Sequence, residues 1–250
     1  MVEIMENNNM KVIEKALSFR RNVLELSDDQ SIINFEKLVE KAGFFLLISS
    51  LPNNYNAKDE KGFAFSGENI EFIFINNSNY YCAQNFTVWH EVYHLIEGHD
   101  DFDFNSQQQK KLIEKEADLF AATILVPPNT LKKKIESKIK KNKLFSHDIH
   151  KLSIDFNCHY EVVYLQIKHL FPDFYRHDKY FKNLYKSSNN FKFLSNLEIE
   201  QIENLRRTGN YYFTHTIIDT LLTNYEKGIL SEEKLDNLII KIKEVVNIDK

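Results

Sequence analysis

The sequence predicts an α+β protein in which a small sheet packs against one short helix. Three runs rich in aromatic and aliphatic residues, at 44–49, 62–66 and 70–75, have the composition of strands. The segments around them place apolar residues at helical spacing, and polar or glycine-containing turns separate the two kinds of element. With 250 residues, 43% of them hydrophobic, the chain can bury a substantial core, and six glycines against twenty phenylalanines exclude a low-complexity chain.

The N-terminal part of the chain is predicted to be helical. Residues 10–26 place apolar side chains at helical spacing, and Ser27 begins a polar turn that can cap a second helix, which ends at Gly43. The strand at 44–49 follows directly. The polar stretch after Pro52 predicts a loop between the first two strands.

The segment FTVWHEVYH, at residues 86–94, contains the pattern H-E-x-x-H. On a helix, His90 and His94 project from one face, so their imidazoles can bind one metal ion. Glu91 follows the first histidine, where a carboxylate can take the proton of an attacking water. The pattern fixes only three positions and can arise by chance, so its sequence context decides whether it marks a metal site. A predicted strand precedes it, and apolar residues on both sides give the helix a face to bury before it ends at Gly98. This context favours metal-dependent peptide hydrolysis.

A second helical run, EKEADLFAATILVPP at residues 114–128, offers a third metal ligand. Glu114 and Asp118 are four residues apart and share a helix face, whereas Glu116 is rotated away from both. One carboxylate can therefore bind the metal while Asp118 accepts a hydrogen bond from the other ring nitrogen of a ligand histidine. We favour Glu114 over Glu116 as the ligand. A glutamate at a helix N-terminus can also simply interact with the helix dipole, which leaves the choice open.

The strand that ends in Asn76, the FTVWHEVYH segment and the later EKEADLFAATILVP segment resemble the ImmA/IrrE family of metallopeptidases over roughly residues 32–170. The resemblance implies a mini-zincin core, in which a small mixed sheet packs on the H-E-x-x-H helix. The ligand types favour Zn²⁺ as the cofactor. The resemblance assigns the three metal ligands to His90, His94 and Glu114. It assigns the catalytic carboxylate to Glu91.

Two positions depart from the family pattern. Tyr93 occupies a position that is commonly glycine, so it has to find room near the metal, and we expect it to contact the substrate. Asp118 replaces a frequent asparagine and suits the role of orienting a ligand histidine at least as well.

Zincins generally bind an extended substrate by strand addition at one edge of their sheet. The strand at 70–75, with Ile73 and Ile75, is our candidate for this edge, although an ordinary core strand explains it equally well. The group that stabilises the developing oxyanion is left open among six side chains: Tyr80, Tyr81, Tyr93, His147, His150 and His159.

The chain divides into four predicted units. They are a helical N-terminal segment, the mini-zincin core, a helix-turn-helix-like segment and an all-helical C-terminal region, at residues 1–30, 31–130, 131–172 and 173–250. The last unit begins with a lysine-rich linker and continues with three predicted helices, at residues 194–207, 211–225 and 231–246. We expect this region to serve sensing, recognition or oligomerisation.

Composition narrows the location and the partners. The formal net charge of −4 gives no general attraction for nucleic acid, and residues 147–171 contain no arginine that could read bases, so we expect no direct DNA binding. The N-terminus lacks the apolar core of a signal peptide, no apolar run is long enough to span a membrane, and two cysteines form no disulfide framework. We therefore expect a cytoplasmic protein.

The leading functional hypothesis is a zinc-dependent endopeptidase whose substrate is a regulatory protein. The family resemblance implies a helix-turn-helix repressor of a mobile element or a stress response as that substrate. The alternative is a metal-bearing switch that binds or sequesters a transcription regulator without cutting it. One reason for this alternative is that Tyr93 could crowd the cleft.

Overall fold

The structure, a computed structural model, describes residues 2–51, 61–67, 70–99, 106–140, 144–171, 191 and 193–246, with backbone alone for 2–7, 140 and 244–246. The predicted linker at 172–190 and most of the predicted loop after Pro52 lie outside the described residues.

Three consecutive strands follow the first two helices, and a fourth strand lies among the helices of the C-terminal region. The helices are α1 (Val2–Asn22), α2 (Phe35–Lys41), α3 (Tyr81–Glu97), α4 (Gln107–Leu125), α5 (Pro128–Lys140), α6 (Ser146–Asp155), α7 (Tyr160–Leu170), α8 (Asn196–Leu205), α9 (His215–Glu226) and α10 (Glu232–Val246). The strands are β1 (Phe45–Ser49), β2 (Gly62–Ser66), β3 (Glu71–Asn76) and β4 (Tyr212–Phe213). This mixture confirms the predicted α+β class, with a small sheet and a helical C-terminal region.

The four strands form one mixed sheet in the order β2-β3-β1-β4. β1 pairs with β3 in parallel, while β2 and β4 pair antiparallel with β3 and β1. β3 therefore has a neighbour on each side and offers no free edge for strand addition. Ile73 and Ile75 are each 0% exposed and belong to the hydrophobic core, a placement that does not favour the expectation that they bind substrate. The outer strand on this side is β2.

Gly62 allows β2 to lie close to both its neighbours. A Cβ atom at this position would stand 2.7 Å from the carbonyl oxygen of Phe74 and 3.0 Å from the Cγ2 of Thr87 on α3. Contacts this short do not occur, so any side chain here would push the outer strand away from the metal-bearing helix. The end of that helix is also set by a glycine, because Gly98 takes the left-handed conformation with φ of 65° as its C-cap. The predicted helix end at Gly98 is thus confirmed.

The hydrophobic core is continuous from α1 to α7. It includes Ala16 of α1, Phe35 of α2, Trp89 of α3, Phe120 of α4 and Val163 of α7, all fully buried. Side chains on both sides of the predicted boundaries at residues 30 and 130 thus share one core, although the boundaries themselves stay predictions. The helix-turn-helix-like pair α6–α7 packs into this core as well.

The buried Arg20 joins α1 to the end of α4. Its guanidinium donates to the backbone carbonyls of Ile124, Ser27 and Gln30, which satisfies the last turn of α4. Burial lowers the pKa of Arg20 to about 10, against the opposing charges of Asp28 and Asp29, so the side chain stays charged at neutral pH.

The C-terminal region differs from the expectation in one respect, since residues 211–225 were expected to form one helix. Tyr212 and Phe213 instead form strand β4, and the helix begins only at His215. The reason is tertiary: Thr214 Oγ1 accepts the backbone N–H of Leu46 at 2.7 Å, which holds this segment extended against β1. Among the described residues, no helix combines the length and the apolar character needed to cross a bilayer.

Candidate metal centre

Helix α3 fixes the two histidines by burying its opposite face. Trp89 is fully buried, its indole N–H donates to Asn85 Oδ1 at 3.0 Å, and its ring lies edge-on to Phe19. His90 and His94 project from another face, with Nε2 atoms 3.1 Å apart. The helical spacing of four residues therefore brings two imidazole nitrogens to one point, as the sequence predicts.

The third ligand position belongs to Glu114. One of its carboxylate oxygens lies 3.3 Å from His90 Nε2 and the other 4.0 Å from His94 Nε2. Glu116 points elsewhere, because its carboxylate accepts hydrogen bonds from the Tyr93 hydroxyl and the Asn8 amide. The open choice between the two glutamates is thus decided by geometry in favour of Glu114.

Asp118 holds the ring of His90 from behind. Its Oδ1 lies 3.0 Å from His90 Nδ1, while His90 Nε2 faces Glu114 and His94, so a proton on Nδ1 is held there when Nε2 binds a metal. A carboxylate in this position fixes the tautomer and orientation of a ligand histidine. The structure therefore places Asp118 as the sequence suggests.

Glu91 is half-buried beside His90, and its negative charge acts on that imidazole. Burial lowers the pKa of His90, but hydrogen bonds to Asp118 and Glu114, together with the charge of Glu91, outweigh burial and raise the pKa to about 9. In turn, the hydrogen bond from His90 lowers the pKa of Glu114 despite its partial burial. Both shifts show that this point in the molecule favours positive charge.

Tyr93 is buried between α3 and α4, and its contact with substrate stays a prediction that this placement does not favour. It is 3% exposed, its hydroxyl donates to Glu116 at 3.0 Å, and its ring packs 5.3 Å from that of Phe120. Position 93 follows His90 by three residues, but its side chain turns into the space between α3 and α4. A tyrosine fits there because a carboxylate receives its hydroxyl.

The six candidates for the residue that stabilises the oxyanion differ in their surroundings. Tyr93 and Tyr81 are buried and donate to Glu116 and to Glu36 near the start of α2. His147 and His150 pack on Phe193 and Phe191, and Tyr80 is the N-cap residue of α3. His159 lines a cavity that also has Asp118 in its wall.

The cavity was not foreseen from the sequence. Its volume is about 450 Å³, and residues of α3, α4 and α7 line it next to the start of β2. Two of its wall residues adjoin the metal centre: Asp118, which contacts His90, and Phe86, whose ring centroid lies 6.4 Å from that of His90. The position of Phe86 one helical turn before His90 was the signal available in the sequence.

The donor atoms fit a divalent metal. One nitrogen each from His90 and His94 and one oxygen from Glu114 lie within 4.8 Å of one another. Two imidazoles and one carboxylate, with a carboxylate behind one ring, form the ligand type of catalytic metal sites that retain an open position. The arrangement suits hydrolysis, because Glu91 follows the first ligand directly.

Comparison with known families agrees with this geometry. Residues 46–168, about half of the chain, match the IrrE N-terminal-like domain of the M78 peptidases. No curated protein matches the chain significantly. The matched stretch contains all three ligands, Glu91 and Asp118. On the evidence of this domain and its metal centre, the chain belongs to the ImmA/IrrE family of metallopeptidases.

Proposed function

We propose that the protein is a zinc-dependent endopeptidase that cuts a cytosolic regulatory protein, most specifically a helix-turn-helix repressor of a mobile element or a stress response. The observation that carries the proposal is the convergence of His90, His94 and Glu114 beside Glu91 in an M78 peptidase domain. The buried cysteines Cys82 and Cys158 are free, which is consistent with a reducing compartment.

The chemistry divides among the residues of the centre. His90, His94 and Glu114 would hold Zn²⁺, which when bound polarises a carbonyl and lowers the pKa of water. Glu91 takes the proton of the attacking water and passes it to the leaving amine, as a general base and then a general acid. Asp118 keeps the His90 ring in the orientation that ligation needs.

The substrate approaches along β2 rather than along β3. Among the described strands β2 pairs only with β3, so its outer edge can accept an extended peptide by strand addition. Phe63 and Phe65 on this strand are exposed and stack on Phe74 and Phe72 of β3. A peptide paired with β2 therefore meets aromatic side chains on the face of the sheet away from α3.

Intact-mass analysis of a helix-turn-helix regulator encoded beside this gene tests the proposal. The regulator is incubated with zinc-loaded wild-type protein and, in parallel, with the Glu91→Gln variant. We expect two defined fragments with the wild type only, while the variant retains its zinc because Glu91 is not a ligand. Cleavage by metal-loaded Glu91→Gln would refute the assigned mechanism.

The placement of Tyr93 does not support the alternative of a non-cleaving switch. Tyr93 does not crowd the cleft, because it is buried against Glu116 and Phe120. An uncut regulator that co-purifies equally with wild type and Glu91→Gln would nevertheless favour the switch over the peptidase.

A further inference from the structure

The cavity beside His90 has mostly apolar walls and a direct link to the metal centre. Its apolar and small wall residues come from α3, α4 and α7, and they are Phe86, Thr87, Leu119, Ala122, Val162 and Leu165. A volume of about 450 Å³ lies within the range of small-ligand pockets, roughly 300–1,000 Å³. The cavity can therefore take a large side chain, which a flat surface could not hold.

The charged groups at the cavity carry both signs. Lys61 contributes a positive charge, while Asp118 and Glu161 contribute negative charges. His159 adds no charge at neutral pH, because burial and the nearby charges of Arg206 and Lys61 lower its pKa to about 4. With both signs present, the cavity has no strong preference for either sign of charge, and its apolar walls dominate the recognition of a guest.

The cavity also lies where a substrate peptide would pass. Lys61, the residue before β2, and Thr87 of α3 both line it. Gly62 at the start of β2 lies directly against Thr87. A peptide paired with the outer edge of β2 directs alternate side chains towards the α3 face of the sheet, the side on which the wall residue Thr87 lies against Gly62. Asp118 in the cavity wall lies 3.0 Å from His90 Nδ1, so one wall residue contacts a candidate metal ligand directly.

We propose that this cavity is the specificity subsite of the enzyme and that it takes one large apolar side chain, such as that of leucine or phenylalanine, next to the scissile bond. The proposal rests on the proposed peptidase function and names the class of bond that it cuts. Leu119, Val162 and Leu165 are the residues that determine this preference.

A set of hydroxamate probes tests the subsite without turnover. Succinyl hydroxamates that differ only in one side chain (methyl, isobutyl, benzyl, carboxyethyl or aminobutyl) are titrated calorimetrically into the zinc-loaded full-length protein. Since each buried methylene strengthens binding severalfold, we expect the isobutyl and benzyl probes to bind about tenfold or more tightly than the methyl probe. The two charged probes are expected to gain no such advantage.

Two tryptophan variants make the test specific for the cavity. Leu165 lines the cavity and is 49% exposed. The larger side chain in Leu165→Trp is therefore expected to fill part of the cavity. Leu222 on α9 is 43% exposed and does not line the cavity, so Leu222→Trp is the matched control. We expect Leu165→Trp to remove most of the preference for isobutyl and benzyl probes while the methyl probe binds as before. Leu222→Trp is expected to leave all affinities unchanged.

The outcomes separate this proposal from the one on which it rests. Equal affinity for all side chains, or a stronger affinity for a charged probe, would overturn the apolar subsite while leaving the metal centre intact. A preference that survives Leu165→Trp would place the guest elsewhere and would also overturn the assignment. If no probe binds and the protein contains no zinc by elemental analysis, the proposed function fails together with the subsite.

Discussion

The hydrogen bond between Asp118 and His90 gives the sharpest test of the metal centre. Replacing Asp118 with alanine leaves the three ligands in place but removes the acceptor that lies 3.0 Å from His90 Nδ1. The ring can then rotate about its side-chain bonds or adopt the other tautomer, and both changes weaken the donation from Nε2.

The size of the effect follows from the geometry. Loss of a partner behind a ligand typically lowers metal affinity about 10- to 100-fold, which corresponds to about 1.4–2.7 kcal/mol. The Asp118 side chain is 61% exposed, so water screens its charge and can replace it in part. We therefore expect the lower end, about tenfold weaker zinc binding in Asp118→Ala. Asp118→Asn should lose less, because the amide oxygen still accepts the Nδ1–H.

Competition with a fluorescent zinc chelator measures these affinities at fixed pH. Asp219→Ala, at an exposed position on α9, is the control for the loss of one surface carboxylate. An unchanged affinity in Asp118→Ala would refute the reasoning, since it would mean that the ligands alone orient the His90 ring.

Three further predictions concern the ligand set, the outer strand and a buried histidine. Glu114→Ala should abolish stoichiometric zinc, whereas Glu116→Ala should retain it, as measured by elemental analysis after dialysis. Gly62→Ala should lower the free energy of unfolding in urea by about 1–3 kcal/mol because its Cβ overlaps a backbone oxygen of β3, while Gly67→Ala, with no such overlap, should have little effect. Burial and the nearby charges lower the pKa of His150 to about 4, so below about pH 6.5 the unfolded chain binds a proton that the folded one does not. The wild type should therefore lose about 1–2 kcal/mol more between pH 7 and pH 5 than His150→Gln, and equal losses would contradict this.

The ligands were predictable from the sequence because they depend on local geometry. A spacing of four residues on a helix places His90 and His94 on one face whatever surrounds them. The same rule places Glu114 and Asp118 together on α4, so the sequence analysis identified both the ligand and the carboxylate behind His90. The sequence favoured Glu114 over Glu116 but left the choice open, and only the packing of α1 and α3 on α4 shows that Asn8 and Tyr93 bind Glu116.

The substrate-binding residues were not predictable in this way, because they depend on the order of strands. Composition predicted a strand at 70–75, which the structure has at 71–76, but both an edge strand and a core strand can have that composition. The pairing of β1 with β3 in parallel puts β3 inside the sheet and leaves β2 outside, and this pairing joins residues far apart in the chain. Periodicity contains no information about such partners.

The sequence by itself predicted the class of the fold, most of the helices and the placement of His90 and His94 on one helix face, since hydrophobic spacing and side-chain chemistry act over a few residues. Only the tertiary structure decided that Tyr93 turns away from the cleft, that β4 extends the sheet through Thr214 and Leu46, and that a cavity lies behind Phe86. These features arise from contacts between distant segments, whose geometry follows from how the helices and strands pack rather than from the spacing of residues within any one of them.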